Sequence, residues 1–150
     1  MSIARVVLAD DHQAIRNGVR GLLERHGIEV VGETGYGEEA VQLVKQLSPD
    51  VLILDLRMPG LGGLEVVKQL KAENLPVRIL ILSVYLEKRM IKRLFKLEVD
   101  GYVSKDEALE WLIPAVETIL KGERCFSPNV AEKLPGITPE QSNPSLSGVT

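Results

Sequence analysis

Arg5-Val6-Val7-Leu8-Ala9-Asp10-Asp11 is the stretch whose reading decides the fold. Val6 to Ala9 are apolar without alternation, the pattern of a strand buried on both faces, as in a parallel sheet. The run then stops abruptly in two acids. Similar short apolar runs return at Ile28-Glu29-Val30-Val31-Gly32, Val51-Leu52-Ile53-Leu54, Ile79-Leu80-Ile81-Leu82 and Gly101-Tyr102-Val103. Between them the apolar residues take helical spacing: Ile15, Val19, Leu22 and Leu23, then Ala40, Leu43, Val44 and Leu47, then Leu64, Val67 and Leu70, then Ile91, Leu94 and Leu97, then Val116, Ile119 and Leu120.

Strand and helix alternating in this way predict an α/β domain with a doubly wound, five-stranded parallel sheet and helices on both faces. Right-handed crossovers favour the flavodoxin-like order 2-1-3-4-5. The pattern stops at Gly122, so residues 1–122 are expected to form the domain. Residues 123–150 read as a linker or tail, with Pro128, Pro135, Pro139 and Pro144 and at most one helical turn at Pro128–Leu134.

Composition narrows the class. The 150 residues are 45% hydrophobic, which argues against a disordered chain, and 18 Lys and Arg against 21 Asp and Glu give a net charge of −3, unlike a wholly basic nucleic-acid binder. One cysteine, Cys125, excludes an intramolecular disulfide and a Cys-cluster zinc site. No apolar run approaches the ~20 residues of a membrane helix, and Met1-Ser2-Ile3-Ala4-Arg5 has no signal-peptide core. The expectation is a soluble, cytoplasmic protein.

In such a sheet, ligands bind beyond the carboxyl ends of the strands. Asp10 and Asp11 end the first run, Asp55 the third and Ser83 the fourth, and Ser104-Lys105 follow the fifth. With the first and third strands adjacent, Asp10, Asp11 and Asp55 converge. Three like charges demand a cation, and oxygen ligands with no nearby His or Cys suit Mg²⁺. A carboxylate there can act as nucleophile toward phosphorus, with Lys105 and Ser83 on the phosphoryl oxygens. Taken singly, each residue has a plainer account: Asp10-Asp11 as a helix cap, Asp55 as a turn former, Ser83 as an N-cap, Lys105 as a solvated lysine. Their joint placement at successive strand ends carries the functional reading.

Leu8-Ala9-Asp10-Asp11-His12, Asp55-Leu56-Arg57-Met58-Pro59-Gly60, Leu82-Ser83 and Gly101-Tyr102-Val103-Ser104-Lys105 resemble the motifs of receiver domains of bacterial two-component response regulators. The likeness covers roughly residues 4–122. Gly101 to Lys105 with Lys121-Gly122-Glu123 is similar to the NarL/FixJ (LuxR-type) subgroup, whose members usually carry a C-terminal helix-turn-helix. Leu146 to Thr150 look like the opening of that domain, which would be absent.

The resemblance implies a phosphorylation-controlled switch rather than an enzyme, with at most slow self-phosphorylation and self-dephosphorylation. Asp55 would accept the phosphoryl group from a sensor histidine kinase. Asp10 (mainly through water), Asp11, Asp55 and the Arg57 backbone carbonyl would hold Mg²⁺, Lys105 would contact the phosphoryl group, and Ser83 and Tyr102 would form the switch pair. The output would be transcription, with DNA contacted only through the missing domain, no membrane partner, and a homodimer as an option.

Two positions depart from the family pattern. Gly62 stands where Asp is common. Val84 follows Ser83 where a small residue is usual, so its branched side chain is expected to slow hydrolysis of the acyl phosphate; Arg57 and Tyr85 also flank the site. Lys88, Arg89, Lys92, Arg93 and Lys96 fall on one side of the fourth helix, read either as a solvated face or as a docking surface for an acidic partner or for the missing effector domain.

Alternatives from other classes remain. A Mg²⁺-dependent aspartyl-phosphate phosphatase wants an acid two residues after the nucleophile, where Arg57 stands. A nucleotide-binding module wants a Gly-rich loop after the first run. A degenerate receiver would serve only as an interaction module.

Overall fold

The computed structural model describes residues 4–136. In chain order the elements are β1 (Arg5–Ala9), α1 (Gln13–Arg25), β2 (Glu29–Thr34), α2 (Gly37–Leu47), β3 (Val51–Leu54), α3 (Gly63–Ala72), β4 (Arg78–Ser83), α4 (Lys88–Lys96), β5 (Gly101–Ser104), a 3₁₀ turn (Lys105–Glu107), α5 (Ala108–Leu120), β6 (Cys125–Phe126) and α6 (Pro128–Ala131). The strands form one sheet in the order β2-β1-β3-β4-β5-β6.

The chain divides into two compact units between Ile79 and Leu80. In the first, β1 pairs in parallel with both β2 and β3. Val6 to Ala9 and Val51 to Leu54 are all buried, as expected of runs without alternation. α1 packs on β1 and β2, and α2 packs on the same two strands and on α3. α2 buries Ala40, Val41 and Val44, while Leu43 and Leu47 of the expected stripe are half-buried.

In the second unit β5 pairs in parallel with β4 on one side and β6 on the other. Gly101 is required by this crowding, because a Cβ there would lie 2.8 Å from the Cys125 carbonyl oxygen. α5 packs on β5 and β6 and buries Trp111, Leu112, Ala115, Val116 and Ile119, so Trp111 is a core residue. Arg124 spans from β6 to the end of α4. It donates to the carbonyls of Val99 (3.1 Å) and Phe95 (3.0 Å) and lies 4.0 Å from the centre of the Phe95 ring. Burial lowers the guanidinium pKa, opposed by Asp100 and Glu98.

Two expectations need correction. The sheet has a sixth strand. Cys125-Phe126 is too short for periodicity to reveal, and its burial arises from pairing with β5. α5 begins at Ala108, where the 3₁₀ turn runs directly into helical backbone, and Pro114 lies inside the helix. And Cys125, Phe126, Val130, Ala131 and Leu134, in the stretch read as linker, are buried. The expected helical turn is present as α6. Residues 137–150, including the stretch read as the opening of a further domain, lie outside the described residues.

Candidate functional site: an acidic pocket at the carboxyl ends of the strands

In the first unit the ladder itself brings the acids together. Asp10 N–H donates to the Thr34 carbonyl, and Asp55 N–H donates to the Ala9 carbonyl, both at 2.9 Å. Asp55 therefore leaves β3 alongside the residue that precedes Asp10. Asp10 and Asp55 are buried, while Asp11 is partly open to solvent. Ligand atoms from Asp10, Asp11, Asp55 and His12 all lie within 4.8 Å of one another.

Local contacts hold these groups. Asp10 Oδ1 accepts the His12 backbone N–H at 2.9 Å, and Asp55 Oδ1 accepts the Leu56 N–H at 2.7 Å. Arg16 donates from α1 to the Asp10 backbone carbonyl and also faces Glu33 at 3.4 Å, where Arg20 makes a second ion pair. The loop after Asp55 is fixed from two sides. The Glu38 carboxylate accepts the Leu61 N–H at 2.6 Å, and Gly63 N–H donates to the Leu56 carbonyl at 3.0 Å. A Cβ on Gly63 would sit 2.5 Å from the Asp55 carbonyl oxygen, so only glycine lets α3 start this close behind Asp55. Gly62, where Asp was the common residue, is the N-cap of α3 and supplies no side-chain cap.

His12 is the residue the sequence reading missed. That reading placed no histidine near the acids, yet His12 Nδ1 lies 3.0 Å from Asp11 Oδ1 and 3.4 Å from Asp10 Oδ1. Its adjacency to Asp10-Asp11 was the available signal. His12 is the N-cap of α1, directly after Asp11. Three carboxylates this close carry charge that a hard divalent cation would neutralise, and the donor set fits one.

In the second unit Ser83 ends β4 and is opposite Ser104 in register, so Lys105, next along, leaves the same edge of the sheet. Ser83 is buried, and its Oγ accepts the Tyr85 N–H at 3.1 Å. Tyr102 is 1% exposed, and its hydroxyl donates to the Tyr85 carbonyl. Both residues read as a switch pair thus hold the same backbone segment. Val84 between them is exposed, as are Lys88, Arg89, Lys92, Arg93 and Lys96, with Ile91 and Leu94 turned inward.

The family model for the response regulator receiver domain matches residues 6–117. The chain belongs to the response regulator receiver domain family. Receiver domains are phosphoacceptors rather than enzymes in the usual sense, and they bind Mg²⁺ in an acidic pocket, with which the Asp10, Asp11 and Asp55 cluster agrees. This receiver is 34% identical to the response regulator GacA of Pseudomonas aeruginosa, over 87% of this chain and 61% of GacA. It is 40% identical to the nitrate/nitrite response regulator protein homolog of Haemophilus influenzae, over 87% of this chain and 63% of that protein. The chain thus spans less than two thirds of either relative. A LuxR-family two-component response regulator from Aurantimonas sp. SI85-9A1 superposes with a TM-score of 0.83 at 36% identity, over 89% of this chain and 96% of that one. The likeness to LuxR- and NarL-type receivers and the parallel flavodoxin-like sheet therefore stand, with six strands in place of five. Among the described residues no helix is long and apolar enough to cross a membrane.

Proposed function

We propose that this receiver accepts a phosphoryl group on Asp55 from a sensor histidine kinase and that this controls transcription through the DNA-binding part of a full-length regulator. The gathering of Asp10, Asp11 and Asp55 within 4.8 Å supports this reading most directly. An Asp55 carboxylate oxygen attacks the phosphorus of a phosphohistidine, the P–N bond breaks, and the imidazole leaves with a proton from solvent. Asp10, Asp11, Asp55 and the Arg57 carbonyl hold Mg²⁺, whose charge offsets that of the phosphoryl oxygens. The Lys105 ammonium pairs with the phosphoryl oxygens, and the Ser83 hydroxyl donates to them.

A Ser83 hydroxyl turned to the phosphate gives up the Tyr85 N–H that it now accepts. Tyr102 grips the carbonyl of the same residue. The backbone at Tyr85 then moves as one element ahead of α4, a packed element biased by a local charge. The exposed Lys88, Arg89, Lys92, Arg93 and Lys96 present the moved surface to an acidic partner. Self-phosphorylation from small donors and self-dephosphorylation are at most slow, the working place is the cytoplasm, and a homodimer is an option that the oligomeric state below tests.

The test is incubation with Mg²⁺ and a small acyl phosphate, followed by intact mass, and with beryllofluoride, followed by oligomeric state. One phosphoryl mass on the wild type and none on Asp55→Asn is the expected result. Absence of any adduct on the wild type would overturn the proposal, and multiple turnover of phosphate esters would replace it with a phosphatase.

A further inference from the structure

We propose that Arg16 is a positioning residue of the cation site, which acts through the Asp10–Asp11 peptide to aim the two carboxylates on either side of it. The inference rests on the reading that Asp10, Asp11 and Asp55 hold a divalent cation.

The last register pair of β1 and β2 is Ala9 with Thr34, and just beyond it Arg16 Nη1 donates to the Asp10 carbonyl. That carbonyl and the Asp11 N–H belong to one planar peptide, so a grip on the oxygen fixes the plane that carries both Cα atoms. The two carboxylates leave from those atoms. The end of β2 is bare where the guanidinium lies. A Cβ on Gly35 would sit 3.2 Å from Arg16 Nη1 and 3.3 Å from the Asp11 Cα, tighter than such contacts normally are. The Arg16 side chain is only 14% exposed, so it is packed into this place rather than waving in solvent.

A plain ion pair does not account for the placement. A guanidinium set for a carboxylate commonly meets it through two parallel N–H groups. Arg16 and Arg20, about one turn apart on α1, share Glu33 of β2 instead. Arg20 Nη2 takes one Glu33 oxygen, while Arg16 Nε faces the other at 3.4 Å and is buried without a hydrogen bond. The fork of Arg16 is turned elsewhere, with Nη1 on the Asp10 carbonyl and Nη2 donating to Gln13 Oε1 at 3.2 Å. The sign of the effect separates positioning from charge. A guanidinium beside a cation repels it, so by charge alone the removal of Arg16 strengthens cation binding. Loss of a group that orients the ligands weakens it, by about 10–100-fold in known outer-shell cases.

The experiment is calorimetric titration of the full 150-residue chain with Mg²⁺ in wild type, Arg16→Ala, Arg16→Lys, Arg20→Ala and Asp55→Asn, with circular dichroism to confirm folding. Arg20→Ala is the control, because it removes the other partner of Glu33 and leaves the Asp10 carbonyl untouched. Expected are a loss of about tenfold in Mg²⁺ affinity for Arg16→Ala and of about threefold for Arg16→Lys, whose single ammonium keeps the charge but not the fork. Arg20→Ala should stay within about twofold of wild type. Amide hydrogen exchange of the metal-free protein is the second readout. The His12 N–H, which donates to Asp10 Oδ1 at 2.9 Å, should exchange several-fold faster in Arg16→Ala. Unchanged or tighter Mg²⁺ binding in Arg16→Ala would overturn the proposal, as would an equal loss in Arg20→Ala, which would trace the effect to Glu33. In either case loss of Mg²⁺ binding in Asp55→Asn would still uphold the carboxylate site. If the wild type binds no Mg²⁺, the carboxylate site and the role of Arg16 fall together.

Discussion

Ser127 and Ser104 face each other across β5 and the start of α6, and their replacement by alanine should have opposite effects. Ser127 Oγ accepts the Ser104 backbone N–H at 3.0 Å, with both residues fully buried. Ser127→Ala leaves that N–H without a partner and out of reach of water, at a cost of about 1–3 kcal/mol. Ser104 Oγ is itself buried without a hydrogen-bond partner, so Ser104→Ala removes an unmet polar group and should be neutral or stabilising. A domain of about 130 residues unfolds with roughly 0.28 kcal/mol per degree of entropy, which converts the Ser127→Ala loss to a fall in Tm of about 4–11 °C. Thermal unfolding followed by circular dichroism, with urea titration for free energy, measures both. A fall of under about 1 °C for Ser127→Ala, or equal shifts for the two variants, would refute the reasoning. It would also remove the argument that the stretch after Gly122 is built into the second unit.

Three further outcomes are expected. Gly63→Ala places a methyl 2.5 Å from the Asp55 carbonyl oxygen and 2.7 Å from the Leu56 Cα, so the backbone must shift, at a cost of about 1–3 kcal/mol in urea unfolding; phosphorylation of Asp55 should slow as well, read by intact mass against time. Burial pushes the Cys125 thiol up to about 12 from 9.0, so an aromatic disulfide reagent should label it only after unfolding. The raised pKa makes its contribution complete below pH 9 and lost as pH rises toward 12, because the unfolded chain ionises first; near pH 10 the wild type should have lost about 1.4 kcal/mol more than Cys125→Ala, measured by urea titration at both pH values. Val84 is exposed beside buried Ser83, and Val84→Ala should dephosphorylate several-fold faster than wild type; an equal or slower rate would end the idea that this side chain shields the acyl phosphate.

The part legible in the sequence was the part with local or periodic causes. Val6 to Ala9 and Val51 to Leu54 lie in strands buried on both faces, and nothing but an unbroken apolar run satisfies that setting. Adjacent strands then carry Asp10 and Asp55 to the same edge, so the acid cluster followed from strand order alone. What the sequence could not show were contacts between segments far apart in the chain. β6 has two residues and no pattern of its own, and it exists because Gly101 lets the Cys125 backbone approach β5. The need for glycine at position 63 comes from the carbonyl of Asp55, and the grip on Leu61 comes from Glu38. Apolar periodicity, set residue by residue through burial, fixed the strands and helices. Packing between distant backbones decided where the last strand pairs and where only glycine fits.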